Sequence, residues 1–299
     1  MYWETWGNPA AKPLLSVHGG PGSGASTRPP TTIDLRRYRL IRFDQRGCGR
    51  SIPNASDPMA DMSVNTTVHL IADMECLRKH LDIDSWLLHG GSWGTTLALA
   101  YAEVHPQRVS QMVLVSVTTT RRSEINWLYG GVGRFFPREW ERFVAGMPGV
   151  SVAGDIAPVL AAYAARMADC DPAVRDAAAD AWVAWEDAVI SAELNGTPGA
   201  YSSRKGTARH AFVRICSHYF SNAAWLEEGQ LIRDAGKLAG IPGVLVHGRF
   251  DLGGPLVTPW ELAKAWPGAA LRVIEDSGHT GSDSMRSQVA DALAGFAGS

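Results

Sequence analysis

The pentapeptide Gly90-Gly91-Ser92-Trp93-Gly94 stands between an apolar run, Ser85 to His89, and a helix-forming stretch, Thr95 to Val104. A G-x-S-x-G step in that position fits one local architecture, a strand that turns sharply into a helix. Such a turn pushes the serine hydroxyl out of the fold, and the backbone N–H of Trp93 then points where an oxyanion would form. Glycines at 90 and 94 let the neighbouring backbone pass closely. A plain Gly/Ser turn can carry the same letters, so the weight of the motif depends on its surroundings.

Those surroundings have two textures. From Tyr2 to about Val117, short apolar runs alternate with helical stretches. Tyr2 to Trp6, Pro13 to His18, Arg39 to Asp44, Trp86 to His89 and Gln111 to Val117 read as strands, and Val68 to Leu81 and Thr95 to Val104 as helices. That alternation predicts a parallel sheet wrapped by helices. Between Thr118 and about Lys237 the chain becomes rich in Ala, Trp, Arg and Glu, with helical stretches at Pro172 to Leu194 and Thr207 to Asn222. The β/α pattern resumes with Val244 to His247, a helix near Trp260 to Ala265, the strand Leu271 to Ile274 and a closing helix from Asp283 to Phe296. The expected architecture is an α/β core, residues 1–117 and 238–299, with a mostly parallel sheet and an inserted all-helical cap, residues 118–237.

The chain of 299 residues is long enough to bury a sizeable core. Its 28 basic and 30 acidic residues leave a net charge of −2, which gives no pull toward nucleic acid or an anionic membrane. The four cysteines, Cys48, Cys76, Cys170 and Cys216, show neither metal-ligand spacing nor a disulfide framework. No apolar run is long enough to cross a bilayer. These features predict a soluble, cytoplasmic protein with no metal, no cofactor and no nucleic-acid or membrane partner; they leave its oligomeric state open.

Serine chemistry needs a base to take the hydroxyl proton and an acid to hold that base in the right tautomer. On a sheet of this kind the acid and then the histidine follow the serine in chain order. Asp251 lies in His247-Gly248-Arg249-Phe250-Asp251 and His279 in Ser277-Gly278-His279, each just past an apolar strand. Both belong at the carboxyl edge of the sheet, where the Ser92 turn also opens. Asp276 and Asp283 flank His279, but Asp276 is too near in sequence to reach the ring's far nitrogen. His69, His80 and His105 fall within or at the ends of helices, and His89 reads as a packed strand residue. The second oxyanion donor is expected in His18-Gly19-Gly20-Pro21-Gly22, where glycine permits the positive φ that aims an N–H inward.

Several segments together, among them His18 to Gly22, Asp44 to Ser51, Gly90 to Thr95, Trp182 to Glu186, His218-Tyr219-Phe220 and Ser277 to His279, closely resemble the proline iminopeptidases, also called prolyl aminopeptidases, of the α/β-hydrolase superfamily. The resemblance runs nearly end to end. It implies Ser92 as nucleophile, His279 as base, Asp251 as its orienting acid and the Gly20 and Trp93 amides as oxyanion hole. It further implies a cap that admits only a chain end, so that one N-terminal residue, preferably proline, is released from a peptide or aminoacyl substrate. Glu186 then anchors the substrate's cationic amine, where without the family it reads as a solvated helix carboxylate.

The departures from that pattern fall in the implied substrate pocket. Cys216 stands where a second acidic anchor is expected before His-Tyr-Phe, and a thiol supplies no charge at neutral pH. Losing one of two anionic partners of a desolvated ammonium costs roughly 2–5 kcal/mol. Thr118 and Leu128 stand where aromatics are expected, whereas Trp127 and Phe220 are kept, and Gly254 replaces a residue that is often cysteine. Glu193 lies seven residues after Glu186, on the same helix face about 10.5 Å along the axis, too far for one amine to touch both. Relatives usually carry a further leading strand before Tyr2. Three readings follow: an exopeptidase for proline or another small N-terminal residue, an amidase or esterase acting on a non-peptide such as an aminoacylated metabolite, and a binder without catalysis, against which an intact Ser92, Asp251 and His279 argue strongly.

Overall fold

A computed structural model describes residues 1–28, 30–147 and 155–298. Seven strands form one sheet: β1 (Tyr2–Gly7), β2 (Lys12–Val17), β3 (Tyr38–Asp44), β4 (Trp86–Gly91), β5 (Val109–Val115), β6 (Gly243–Gly248) and β7 (Ala269–Ile274). Their spatial order is β1-β3-β2-β4-β5-β6-β7, and β1 alone runs antiparallel, against β3. Helices α1 (Thr67–His80), α2 (Trp93–Val104), α9 (Val257–Ala265) and α10 (Asp283–Phe296) connect or flank the strands.

The inner strands read as continuous apolar runs because helices cover both faces of the sheet. Neighbouring side chains point to opposite faces, so Leu14, Leu40 and Leu87 pack with Val289 and Leu293 of α10. Leu15, Ile41 and Leu88 pack on the other side with Leu70 of α1 and Leu97 of α2.

Between β5 and β6 the described residues form helices: α3 (Arg122–Tyr129), α4 (Pro137–Ala145), α5 (Ala157–Met167), α6 (Pro172–Ser191), α7 (Gly206–Ser221) and the short α8 (Gln230–Arg233). This insertion has a core of its own, dominated by rings; Phe143 stacks on Tyr163 at 4.7 Å and Trp182 packs on Tyr129 at 4.8 Å. Helix α7 belongs to both bodies. Ala211, Ile215 and Tyr219 join the core beneath the sheet, while Phe212, Val213 and Cys216 face the aromatic cluster. Arg214 fastens the same helix to the sheet-side loop, donating to the carbonyls of Ala55, Asp57, Pro58 and Ala60.

Among the described residues, no helix is long and apolar enough to cross a membrane. No group of three or more metal-ligating side chains is found among them either.

Candidate active site

Ser92 sits between β4 and α2 with φ 53° and ψ −128°, a conformation that non-glycine residues rarely adopt. Its N–H donates to the Val115 carbonyl at 2.9 Å, which fixes the turn to β5. Glycine is required close by, because a Cβ on Gly94 would collide with the Val17 carbonyl oxygen. The helix begins two residues earlier than the propensity pattern indicates, at Trp93, so the Trp93 amide lies in the first turn and has no partner within the helix.

Asp251 and His279 leave the carboxyl ends of the adjacent strands β6 and β7 and converge on that turn. His279 Nε2 lies 2.9 Å from Ser92 Oγ, and Nδ1 lies 2.9 Å from Asp251 Oδ2. With Nδ1–H donating to the carboxylate, Nε2 is left to accept the serine proton. The other Asp251 oxygen accepts from Gly254 N at 2.6 Å. Burial alone would raise the Asp251 carboxyl, but the His279 charge and hydrogen bond and the nearby His247 hold it below the usual carboxylate range. Burial opposes the charge on His279 too; the carboxylates of Asp251, Glu193 and Glu186 outweigh it and lift the imidazole above its ordinary value. Asp276 is occupied elsewhere, accepting from the hydroxyls of Ser282 and Ser284.

His247, fully buried beneath the acid, donates through Nε2 to the Gly254 carbonyl at 2.7 Å and accepts the Val117 N–H at Nδ1. Desolvation lowers its pKa. As a neutral ring it fixes the loop that presents Asp251.

The His18–Gly22 loop passes directly over the serine: a Cβ on Gly19 would lie 3.2 Å from Ser92 Cβ. Gly20 has φ 117° and lines the cavity above Ser92 together with Trp93. Gln45, buried and overlooked by the sequence pattern, joins both amide-bearing segments. Its Nε2 donates to the His18 carbonyl at 2.9 Å and its Oε1 accepts from the Trp93 indole at 3.1 Å. Asp44 secures the same loop, accepting from Ala25 N at 2.7 Å and Arg50 N at 2.8 Å.

Ser92 and His279 open into a cavity whose far wall is the helical insertion. Thr118, Leu128, Phe220 and Glu186 line it, as does Tyr129, which the sequence left unremarked beside Leu128. Glu186 is only 5% exposed, contrary to a solvated helix carboxylate. Its Oε1 accepts from Tyr129 Oη at 2.6 Å and Trp182 Nε1 at 2.8 Å, whereas Oε2 is buried without a partner among the described residues. Desolvation raises its pKa to about 7.

Two residues expected in the pocket lie outside its lining. Cys216 is fully buried behind it, with Sγ 3.1 Å from the Pro21 carbonyl, so it packs under the His18–Gly22 loop. Trp127 donates Nε1 to the Leu252 carbonyl at 2.8 Å. Gly254 does adjoin the pocket, where a Cβ would sit 3.3 Å from Thr118 Cγ2.

Comparison with known proteins identifies the family. The α/β hydrolase fold family matches residues 12–284. The chain is 45% identical over 284 residues to a probable proline iminopeptidase of Streptomyces coelicolor, covering 93% of this chain and 86% of that one. It is 41% identical over 297 residues to the proline iminopeptidase of Neisseria gonorrhoeae, covering 98% and 90%. Among solved structures, a proline iminopeptidase-related protein of Thermus thermophilus superposes with a TM-score of 0.60 at 20% identity, covering 99% of this chain and 94% of that one, a likeness of fold. With a matching fold along most of its length and relatives above 40% identity, the chain belongs to the proline iminopeptidase family of α/β hydrolases.

Proposed function

We propose that this protein is a serine aminopeptidase that releases an N-terminal residue, proline or another small residue, from a peptide or aminoacyl amide. The observation that carries the reading is Glu186 Oε2, a buried and unpartnered carboxylate oxygen in the cavity that also holds Ser92. Buried polar atoms are nearly always satisfied, and a substrate ammonium is the partner this one lacks. The relatives' names point to the same chemistry.

In this reading Ser92 Oγ attacks the scissile carbonyl while His279 Nε2 takes its proton, and Asp251 stabilises the imidazolium. The negative charge on the carbonyl oxygen meets the N–H groups of Gly20 and Trp93. The imidazolium then protonates the departing amine, leaving an aminoacyl ester on Ser92. Water, losing its proton to His279, attacks that ester, and the free amino acid departs as Ser92 regains its proton. Residues 118–237 serve as the cap that closes the cavity on the amine side, and the protein acts in the cytoplasm.

Thr118 and Leu128 line the cavity where the family resemblance leads one to expect aromatics, which favours acceptance of residues other than proline. The decisive test is Glu186→Gln assayed on prolyl arylamide. Its kcat/KM falls by about 30- to 1,000-fold, the worth of about 2–4 kcal/mol for a desolvated charge pair, and a nitrophenyl acetate, which has no amine, suffers far less. Equal losses on both substrates contradict amine anchoring, and activity surviving in Ser92→Ala contradicts the nucleophile.

A further inference from the structure

We propose that Glu193 is a positioning residue for the Ser92 chemistry: from the end of α6 it clamps the loop of the acid to the loop of the base. The inference rests on the assignment of Ser92, His279 and Asp251 given above.

Both Glu193 oxygens are committed, and to backbone amides of two different loops. Oε1 accepts from Leu252 N at 2.7 Å and Gly253 N at 3.3 Å, immediately after Asp251; Oε2 accepts from His279 N at 2.5 Å. The neighbouring chain reinforces the joint. Leu194 O accepts from Gly278 N at 3.1 Å, and Asn195 Nδ2 donates to the Asp276 carbonyl at 2.5 Å. Approach is close enough to require glycine at 278, since a Cβ there would lie 2.6 Å from Glu193 Cβ.

For stability alone this is a poor place for an acid. Glu193 is 6% exposed, it follows the C-terminus of a helix, where the macrodipole disfavours negative charge, and Asp251 adds a like charge nearby. Burial and Asp251 accordingly raise its pKa. An apolar residue would avoid all three penalties, but it could not bridge the two loops. The bridge determines whether the His279 ring stays between Asp251 and Ser92, and misplacement of reacting groups by about 1 Å costs about 100-fold in rate.

Charge gives a second, separable signature. The ionisable groups facing the imidazole are Asp251 at Nδ1, Glu193 at its backbone, Glu186 across the cavity and His247 beyond the acid. A carboxylate at 193 favours the imidazolium, so its removal lets the neutral base persist to lower pH.

The test uses the full chain and a fluorophosphonate that labels the active serine, read as labelling rate against pH beside the melting temperature. Glu193→Gln removes the charge and turns one acceptor into a donor. The expected result is labelling about 100-fold slower, with the acidic limb moved to lower pH. Glu193→Asp keeps the charge but shortens the reach, so it should slow labelling while its limb stays near that of the wild type; this variant also decides the matter should the Gln variant not fold. A folded variant that labels within about twofold of wild type with an unmoved limb overturns the clamp. Labelling of Ser92→Ala at the wild-type rate overturns the underlying triad instead, so the two failures are distinguishable.

Discussion

At the scale of single residues, the site depends on one hydroxyl forced outward and one ring held between two oxygens. Asp251→Asn preserves the shape but favours the wrong imidazole tautomer, so kcat should fall about 10,000-fold while KM and the circular dichroism spectrum stay near wild type. Protonation of Glu186 gives a second expectation. Its carboxyl is pushed up to about 7, and only the ionised form attracts an ammonium. The KM for a free aminoacyl arylamide should therefore climb as pH falls through about 7, whereas an N-blocked ester should show no such rise in KM. Steady-state kinetics from pH 5 to 9 on the two substrates check this. The sequence pointed to Ser92, Asp251 and His279 because each stands at a glycine-marked turn after an apolar run, and the three side chains do come within hydrogen-bond distance of one another. Gln45 and Tyr129 were not, since their roles depend on tertiary neighbours that no local pattern encodes.

At the scale of elements, most strand and helix positions followed from periodicity, with ends displaced by a few residues. The strand read as Gln111 to Val117 runs from Val109 to Val115, because Ser116, at φ 49°, leaves the ladder. The helix read to Leu194 ends at Ser191, which frees Glu193 to turn toward the acid and base loops. The short helices α3, α4 and α5 were not separated from the Ala-, Trp-, Arg- and Glu-rich texture around them. Helix α2 contains a liability of its own. Glu103 is 7% exposed with both carboxyl oxygens unpartnered among the described residues. Burial and Asp234 push its pKa up to about 8, against the smaller pull of Lys237 and Arg233. The folded chain therefore keeps a proton that the unfolded chain loses above about 4.5, so the penalty grows as pH rises from there and is complete above 8. Glu103→Leu should flatten this loss, raising the melting temperature at pH 9 far more than at pH 5. A parallel shift at both values would contradict the assignment. In α7, Arg214→Met leaves four carbonyls without their common donor, and should lower stability by about 3 kcal/mol in urea unfolding.

Across the whole molecule, the proposed function divides between the sheet, which carries the proposed catalytic residues, and the insertion, which lines the rest of the cavity. Ser92, Asp251 and His279 come from the carboxyl edge of the strands, while Glu186, Tyr129, Leu128 and Phe220 come from the helices above. The change of texture near Thr118 falls between the end of β5 at Val115 and the start of α3 at Arg122. The pocket's occupants were less visible: Trp127 and Cys216 lie outside the lining because side-chain direction on a helix, not proximity in sequence, decides what reaches a cavity. The central claim is that a nucleophilic serine and a buried amine anchor share one chamber. The most direct measurement is the ratio of kcat/KM for prolyl p-nitroanilide to that for its N-acetylated form, with Ser92→Ala as control. The account predicts a ratio of about 100 or more, with both activities lost in the control; equal rates for the free and blocked substrates would contradict it.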